Sequence, residues 1–410
     1  MTVLQGRYDV IVIGAGPSGA VAATLLAKKG YRVVILERQH FPRFSIGESL
    51  LPQSMEFLEK AGLLRAVVEA GFQYKNGAAF CRGEDYDQFD FRKKFSEGWG
   101  TTYQVQRSQF DKILADCAAQ EGVEVHYGQT VTAIAESAQH ISVDVRSDED
   151  IEHRITADFL LDGSGFGRVL PRLLKLEKAS TLSSRAAFFT HIEDNIRDPR
   201  FDRNKILITV HPDNPEIWFW LIPFSNGRAS LGVVLPKTLT QESDRSPQEY
   251  LSGAVAESGQ LSELLHHARF DTPVSRLDGY ASDVERLYGD RYALLGNAGE
   301  FLDPIFSSGV TIALKSAMLA AEAVDRQLQG LSPDWQQEYT APLQVGINTF
   351  RVFVEGWYDG SLQDVIFSDN KNDRIKEMIS SVLAGYAWDR NNPYVNEPHR
   401  LATLAKLCRS

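Results

Sequence analysis

YDVIVIGAGPSGAVAATLLAKKGYRVVILE, residues 8–37, decides the fold. Tyr8 to Ile13 is near-continuously apolar, as a strand buried on both faces of a parallel sheet must be. Gly14-Ala15-Gly16-Pro17-Ser18-Gly19 follows, then an apolar-periodic helix stopped by Gly30, then a second strand, Tyr31 to Leu36, ending at Glu37. Gly14 allows the tight turn, Gly16 lets backbone amides approach a pyrophosphate, and Gly19 lets the helix close on the strand. Pro17 and Ser18 complete a helix start whose free amides and dipole attract an anion. Glu37 lies 23 residues beyond Gly14, where an acid bonds ribose hydroxyls. Strand, glycine turn, helix, strand and acid in this order predict an α/β fold with a Rossmann-like GxGxxG domain holding a dinucleotide.

The rest of the composition is that of an ordinary globular chain. Its 410 residues suffice for two or three packed units. A net charge of −11 argues against nucleic acid or an anionic membrane as the main partner. No apolar run approaches the roughly 18 residues of a spanning helix, and the start MTVLQGRYDV lacks the form of a secretory signal. Cys81, Cys117 and Cys408 are scattered, with no CxxC, so neither a disulfide framework nor a metal site is expected. These features predict a cytoplasmic protein.

Beyond Glu37 the chain departs from regular βα units. Arg38 precedes the loop FPRFSIGESLLP, residues 41–52, which contains Glu48 and Ser49. Later come QVQRSQFDKILADC with Arg107, ADFLLDGSGFGR with Asp162 and Gly163, and YALLGNAGEFLDPIFSSGV with Gly296 and Asn297. This order resembles the FAD monooxygenases built like para-hydroxybenzoate hydroxylase, over most of residues 5–330. The resemblance implies that FAD contacts Arg38, Ser49, Arg107, Asp162, Gly163, Gly296 and Asn297. The family's late Gly-Asp is Gly296-Asn297 here. A neutral amide has a different donor and acceptor set, implying a looser hold that suits exchange of reduced flavin. Ser308, Gly309 and Val310 open the helical run 310–324, and a helix N-terminus is a ready anion site.

EIWFWLIPF, residues 216–224, places two of the six tryptophans in one segment. As a strand it puts Trp218, Trp220 and Ile222 on one face and Phe219 and Leu221 on the other, and Pro223 should end it. Trp218, Trp220, Ile222 and Pro223 spell WxWxIP, which resembles the signature of flavin-dependent halogenases. Lys75-Asn76-Gly77 resembles that family's lysine element, and DPIFSSGV, residues 303–310, resembles its pyrrole- and phenol-type branch. Tryptophan halogenases carry a glutamate where this chain has Phe306, which disfavours free tryptophan as substrate.

That resemblance implies a reaction. FADH2 and O2 form a C4a-hydroperoxide, and chloride or bromide near the amides of Ser308 and Gly309 attacks it to give hypohalous acid. Lys75, on an apolar passage where desolvation lowers its pKa, delivers electrophilic halogen to an electron-rich aromatic, free or on a carrier protein. Trp218 and Trp220 keep that substrate from the flavin, and Glu48 assists its deprotonation. With no second nicotinamide motif, a separate NAD(P)H flavin reductase is expected to supply FADH2. The alternative is an aromatic hydroxylase or other flavin oxidoreductase that uses neither halide nor Lys75.

Flavin segments at both ends of residues 1–330 predict a discontinuous FAD domain (1–73, 106–182 and 277–329). A β-sheet substrate domain (74–105 and 183–276) should cover it. Residues 330–410 read as a helical appendage near the substrate entrance.

Overall fold

The computed structural model describes residues 6–240, 244–369 and 372–408. Arg7–Ile13 is the centre of a seven-stranded sheet and pairs in parallel with Val33–Leu36 on one side and Glu152–Asp162 on the other. Val33–Leu36 pairs in parallel with Glu124–His126, and Glu152–Asp162 with Tyr292–Leu294. An antiparallel arm, Ile141–Ser147 and Gln129–Glu136, completes it. The helix Pro17–Lys28 is buried around most of its circumference. Its alanines let it lie between this sheet and the helices Arg107–Gln120 and Ser308–Leu328.

A second seven-stranded sheet runs Ser275–Asp278, Arg185–Glu193, Arg228–Pro236, Trp218–Pro223, Lys205–Val210, Gly77–Arg82, Asp85–Asp90. All its pairings are antiparallel except Lys205–Val210 with Gly77–Arg82. The period of two shows directly in Trp218–Pro223, which ends at its proline. Phe219 and Leu221 join Phe188, Leu231 and Val233 in a separate apolar core with the helix Pro247–Ala256. Trp218, Trp220 and Ile222 face the main core and the flavin-domain side.

Two departures from the sequence reading concern the site. The segment 74–105 is divided: Gly77–Arg82 and Asp85–Asp90 extend the second sheet, whereas Gln73–Lys75 pairs with Thr102–Gln104 in a ribbon of their own. The helices after residue 330 are no appendage. Phe350, Phe353 and Trp357 on Ala341–Tyr358 are fully buried in the main core, and Trp357 meets Phe80 and Phe306. Their aromatic stripe is apolar because it is interior. Among the described residues no helix is long and apolar enough to cross a membrane.

Candidate active site

A cavity of about 560 Å³ lies between the two sheets. At one end the turn after the first strand leads into Pro17–Lys28, whose N-terminus has no side-chain cap. Gly14 has φ +89°, and a Cβ there would lie 2.7 Å from the Gly163 carbonyl oxygen. A Cβ on Gly19 would lie 2.0 Å from the Gly14 carbonyl oxygen. A Cβ on Gly16 would approach only the Arg43 guanidinium, so the turn is bare toward the cavity. Glu37 holds the amides of Ala15 and Gln39, each at 2.9 Å, and lines the cavity with Arg38.

Arg107 lines the cavity while its guanidinium grips Asp111 at 2.7 and 2.9 Å and the Ile46 carbonyl. Gly163, Asn297, Ser307, Gly309 and Val310 complete this part of the wall. A glycine cradle at an uncapped helix start, an acid beyond it and an amide side chain opposite fit an FAD.

Four expected cofactor residues stand behind the wall instead. Gly19 only seats the helix. Asp162 is fully buried, its two oxygens accepting from the amides of Ser164 at 2.9 Å and Leu170 at 2.7 Å, so it braces the turn. Gly296, at φ +50°, receives the start of Ser308–Leu328, where a Cβ would meet Ala313. Ser308 is buried, and its neighbours Ser307 and Gly309 form the surface.

Trp218, Trp220 and Ile222 wall the other end of the cavity. Trp220 lies across Gly232, its ladder partner, and donates to Ser230 Oγ at 3.1 Å. A Cβ on Gly232 would lie 2.2 Å from the Trp220 ring. Gly232→Ala is therefore expected to displace the indole and cost about 1–3 kcal/mol, as overpacking on a rigid strand does. Chemical denaturation would measure the loss.

Lys75 is the least expected placement. It does not line the passage. It is 1% exposed, one side chain back, with Nζ donating to Ser49 Oγ at 2.6 Å and to the Leu50 carbonyl at 2.8 Å. Ser49 is on the cavity wall, so a single hydroxyl separates the amine from the cavity. Burial lowers the Lys75 pKa to about 7, so a large share of the amine is neutral near physiological pH.

Sequence reasoning missed two further groups, His191 and Asp303. Glu48, expected at the site, is on the cavity wall and 3% exposed, and meets His191 with Oε1 and Nε2 2.6 Å apart. His191 lies two residues before the end of the largely apolar strand Arg185–Glu193, where nothing local marks it out. Asp303, fully buried, accepts from Tyr358 at 2.9 Å and Tyr280 at 3.2 Å on one oxygen and from the Ile305 amide on the other. Tyr358 in turn accepts from Trp218 Nε1 at 2.9 Å, and the Arg185 guanidinium lies over its ring. The wall tryptophan is thus fixed by a residue 140 positions away.

Burial pushes the Asp303 pKa up to about 6 against the opposing hydrogen bonds. The folded protein then binds this proton more tightly than the unfolded chain. Its contribution is fully present at low pH and is lost as pH rises from about 4 through 6. Asp303→Asn should flatten that dependence by up to about 3 kcal/mol, read from stability curves of both proteins across the interval.

With this geometry in place, the relatives can be compared. Residues 7–337 match the FAD binding domain family. The chain is 30% identical over 338 residues to the 1H-pyrrole-2-carbonyl-(peptidyl-carrier protein) brominase of Pseudoalteromonas luteoviolacea, covering 82% of this chain and 80% of that one. It is 28% identical over 384 residues to the corresponding chlorinase of Pseudomonas fluorescens, covering 86% and 83%. A flavoprotein/dehydrogenase from Cytophaga hutchinsonii superposes with a TM-score of 0.95 at 44% identity, covering 98% of this chain and 99% of that one. A flavin-dependent brominase superposes with a TM-score of 0.84 at 26% identity, covering 99% and 100%.

Proposed function

The chain belongs to the flavin-dependent halogenases, and from that premise we propose that it halogenates an electron-rich aromatic of pyrrole or phenol type, free or carried on a protein, with Lys75 as the delivering residue. It is an FAD-dependent oxidoreductase. Bound reduced flavin with O2 supplies the oxidant that turns chloride or bromide into electrophilic halogen.

The chain's own groups do the rest. The wall of Ser307, Gly309 and Val310 at the start of Ser308–Leu328 offers a positive helix end to a halide. Trp218, Trp220 and Ile222 occupy the side of the cavity from which an arene would approach the flavin. Lys75 Nζ, neutral in large part near pH 7 and held by Ser49 and Leu50, is a nucleophile for positive halogen and a donor toward the arene. Asp303, Tyr358 and Trp218 hold wall and helix start in one register. Reduced flavin would come from a separate reductase.

The observation that carries this reading is a buried, pKa-lowered lysine one hydroxyl behind a flavin cavity walled by WxWxIP. The test supplies purified protein with FADH2, bromide and catalase and follows bromination of a small reactive trap. Protein-dependent bromination above the flavin-only background supports the reading. Its absence, with peroxide released, favours flavin redox chemistry without halide, a reading to which the likeness to the 44% identical flavoprotein/dehydrogenase lends weight.

A further inference from the structure

We propose that Glu48 and His191 form a general-base dyad that selects a hydroxylated arene and deprotonates it as halogen is transferred; this rests on the halogenase reading above. Glu48 is buried on the cavity wall, and among the described residues Nε2 of His191 is its only side-chain hydrogen-bond partner. A carboxylate only accepts, so His191 presents Nε2–H to Oε1, and Oε2 is left to meet a substrate hydroxyl.

The surroundings fit an aromatic ring. Trp218, Trp220, Phe189, Phe44 and His191 form a continuous run of ring contacts, with successive centroids 5.3–6.0 Å apart. His191 also meets the edge of Phe224 at 5.1 Å. Phe44 is half exposed at the cavity mouth, so the belt runs from solvent to the wall.

The dyad also adjoins the lysine. Glu48 precedes Ser49, whose hydroxyl accepts from Lys75. Base and halogen carrier are therefore tied to consecutive residues, about 3.8 Å apart along the chain. A hydroxylated ring against this stretch of wall would sit beside the carboxylate and one hydroxyl away from the amine.

Glu48 takes the hydroxyl proton as the oxygen pair pushes into the ring. A ring carbon forms its bond to halogen while the halogen–Nζ bond breaks, its electron pair staying on Lys75. The ring then loses its own proton to Nζ, and Glu48 returns the borrowed one to oxygen. One C–H has become one C–halogen bond, and the amine is regenerated. A phenol, ionising near 10 like tyrosine, is within reach of a carboxylate base in this site. A pyrrole N–H is far too weak an acid for the same step, so the dyad favours a hydroxylated arene.

Halogenation would be followed for a phenol, its methyl ether, and a nitro-substituted phenol already ionised at the assay pH. Wild type, Glu48→Gln, His191→Phe and His191→Gln would be compared under FADH2 and bromide. The expected result is a drop in kcat of about 100-fold or more for Glu48→Gln on the phenol, shrinking to less than about 5-fold on the ionised phenol. Wild type should turn over the methyl ether poorly. His191 acts through Glu48 as a positioning residue, so His191→Phe should lower kcat about 10-fold on the phenol, with partial rescue by His191→Gln.

A loss that is equal for phenol and ionised phenol would overturn the dyad, as would turnover of the methyl ether as fast as the phenol. Should Glu48→Gln not fold, the two His191 variants decide by the same comparison. Wild type that oxidises no halide toward the small trap defeats the parent reading instead, a result distinct from any of these.

Discussion

Lys75→Met is expected to reduce arene halogenation by about a thousandfold or more, read as halogenated product by mass spectrometry. Lys75→Arg should do the same although it keeps the charge. A guanidinium is never neutral in a protein, so it cannot offer nitrogen to positive halogen. In wild type the rate should rise with pH through about 7, as the buried amine loses its proton.

The same residue leaves a signature in stability. A lysine whose folded pKa is lowered binds fewer protons folded than unfolded, so stability rises with pH between about 7 and the ordinary lysine range. Relative to Lys75→Met, wild type should gain about 1.4 kcal/mol per pH unit across that interval. Denaturant titrations at several pH values would measure it. An unchanged difference would place the lysine in contact with water and remove the basis for its role.

Gly14→Ala is the second large effect. The residue is asked to adopt φ +89° with its new methyl 2.7 Å from the Gly163 carbonyl oxygen. Left-handed backbone and a clash with rigid backbone each cost on the order of 1–3 kcal/mol. The strand–turn–helix junction should open, with FAD affinity falling at least about a hundredfold by fluorescence titration. Gly30→Ala is the control: it also has positive φ, +91°, but meets nothing within 4 Å. It should lose stability without losing flavin selectively.

How far the sequence could be read follows from the range of each interaction. The nucleotide turn is local, and every part of it from Tyr8 to Glu37 could be named from pattern and chemistry. The face of Trp218–Pro223 toward the cavity followed from the period of two. The placement of Lys75 did not, because its burial depends on Ser49 and Leu50, which lie 26 and 25 residues away on a different segment. His191 reaches Glu48 across 143 residues, and Tyr358 reaches Asp303 across 55. Pairings of that kind are products of topology, and neither partner carries a local mark. The final helices were underestimated for a related reason: an aromatic stripe shows that a face is covered, not which element covers it.

The bond from Trp218 to Tyr358 has a practical bearing on how this chain is divided. A shortened protein ending near residue 337 would retain the whole matched FAD-binding stretch and would pass as an intact cofactor module. It would nonetheless lose the phenol that orients the wall tryptophan and the cover over Phe80 and Phe306. Such a fragment would also lack Phe350, Phe353 and Trp357 of the main core, so its flavin binding would not report on the whole chain. Conversely, variation confined to the last helices offers a way to reshape the reaction chamber without touching a single residue of the nucleotide cradle.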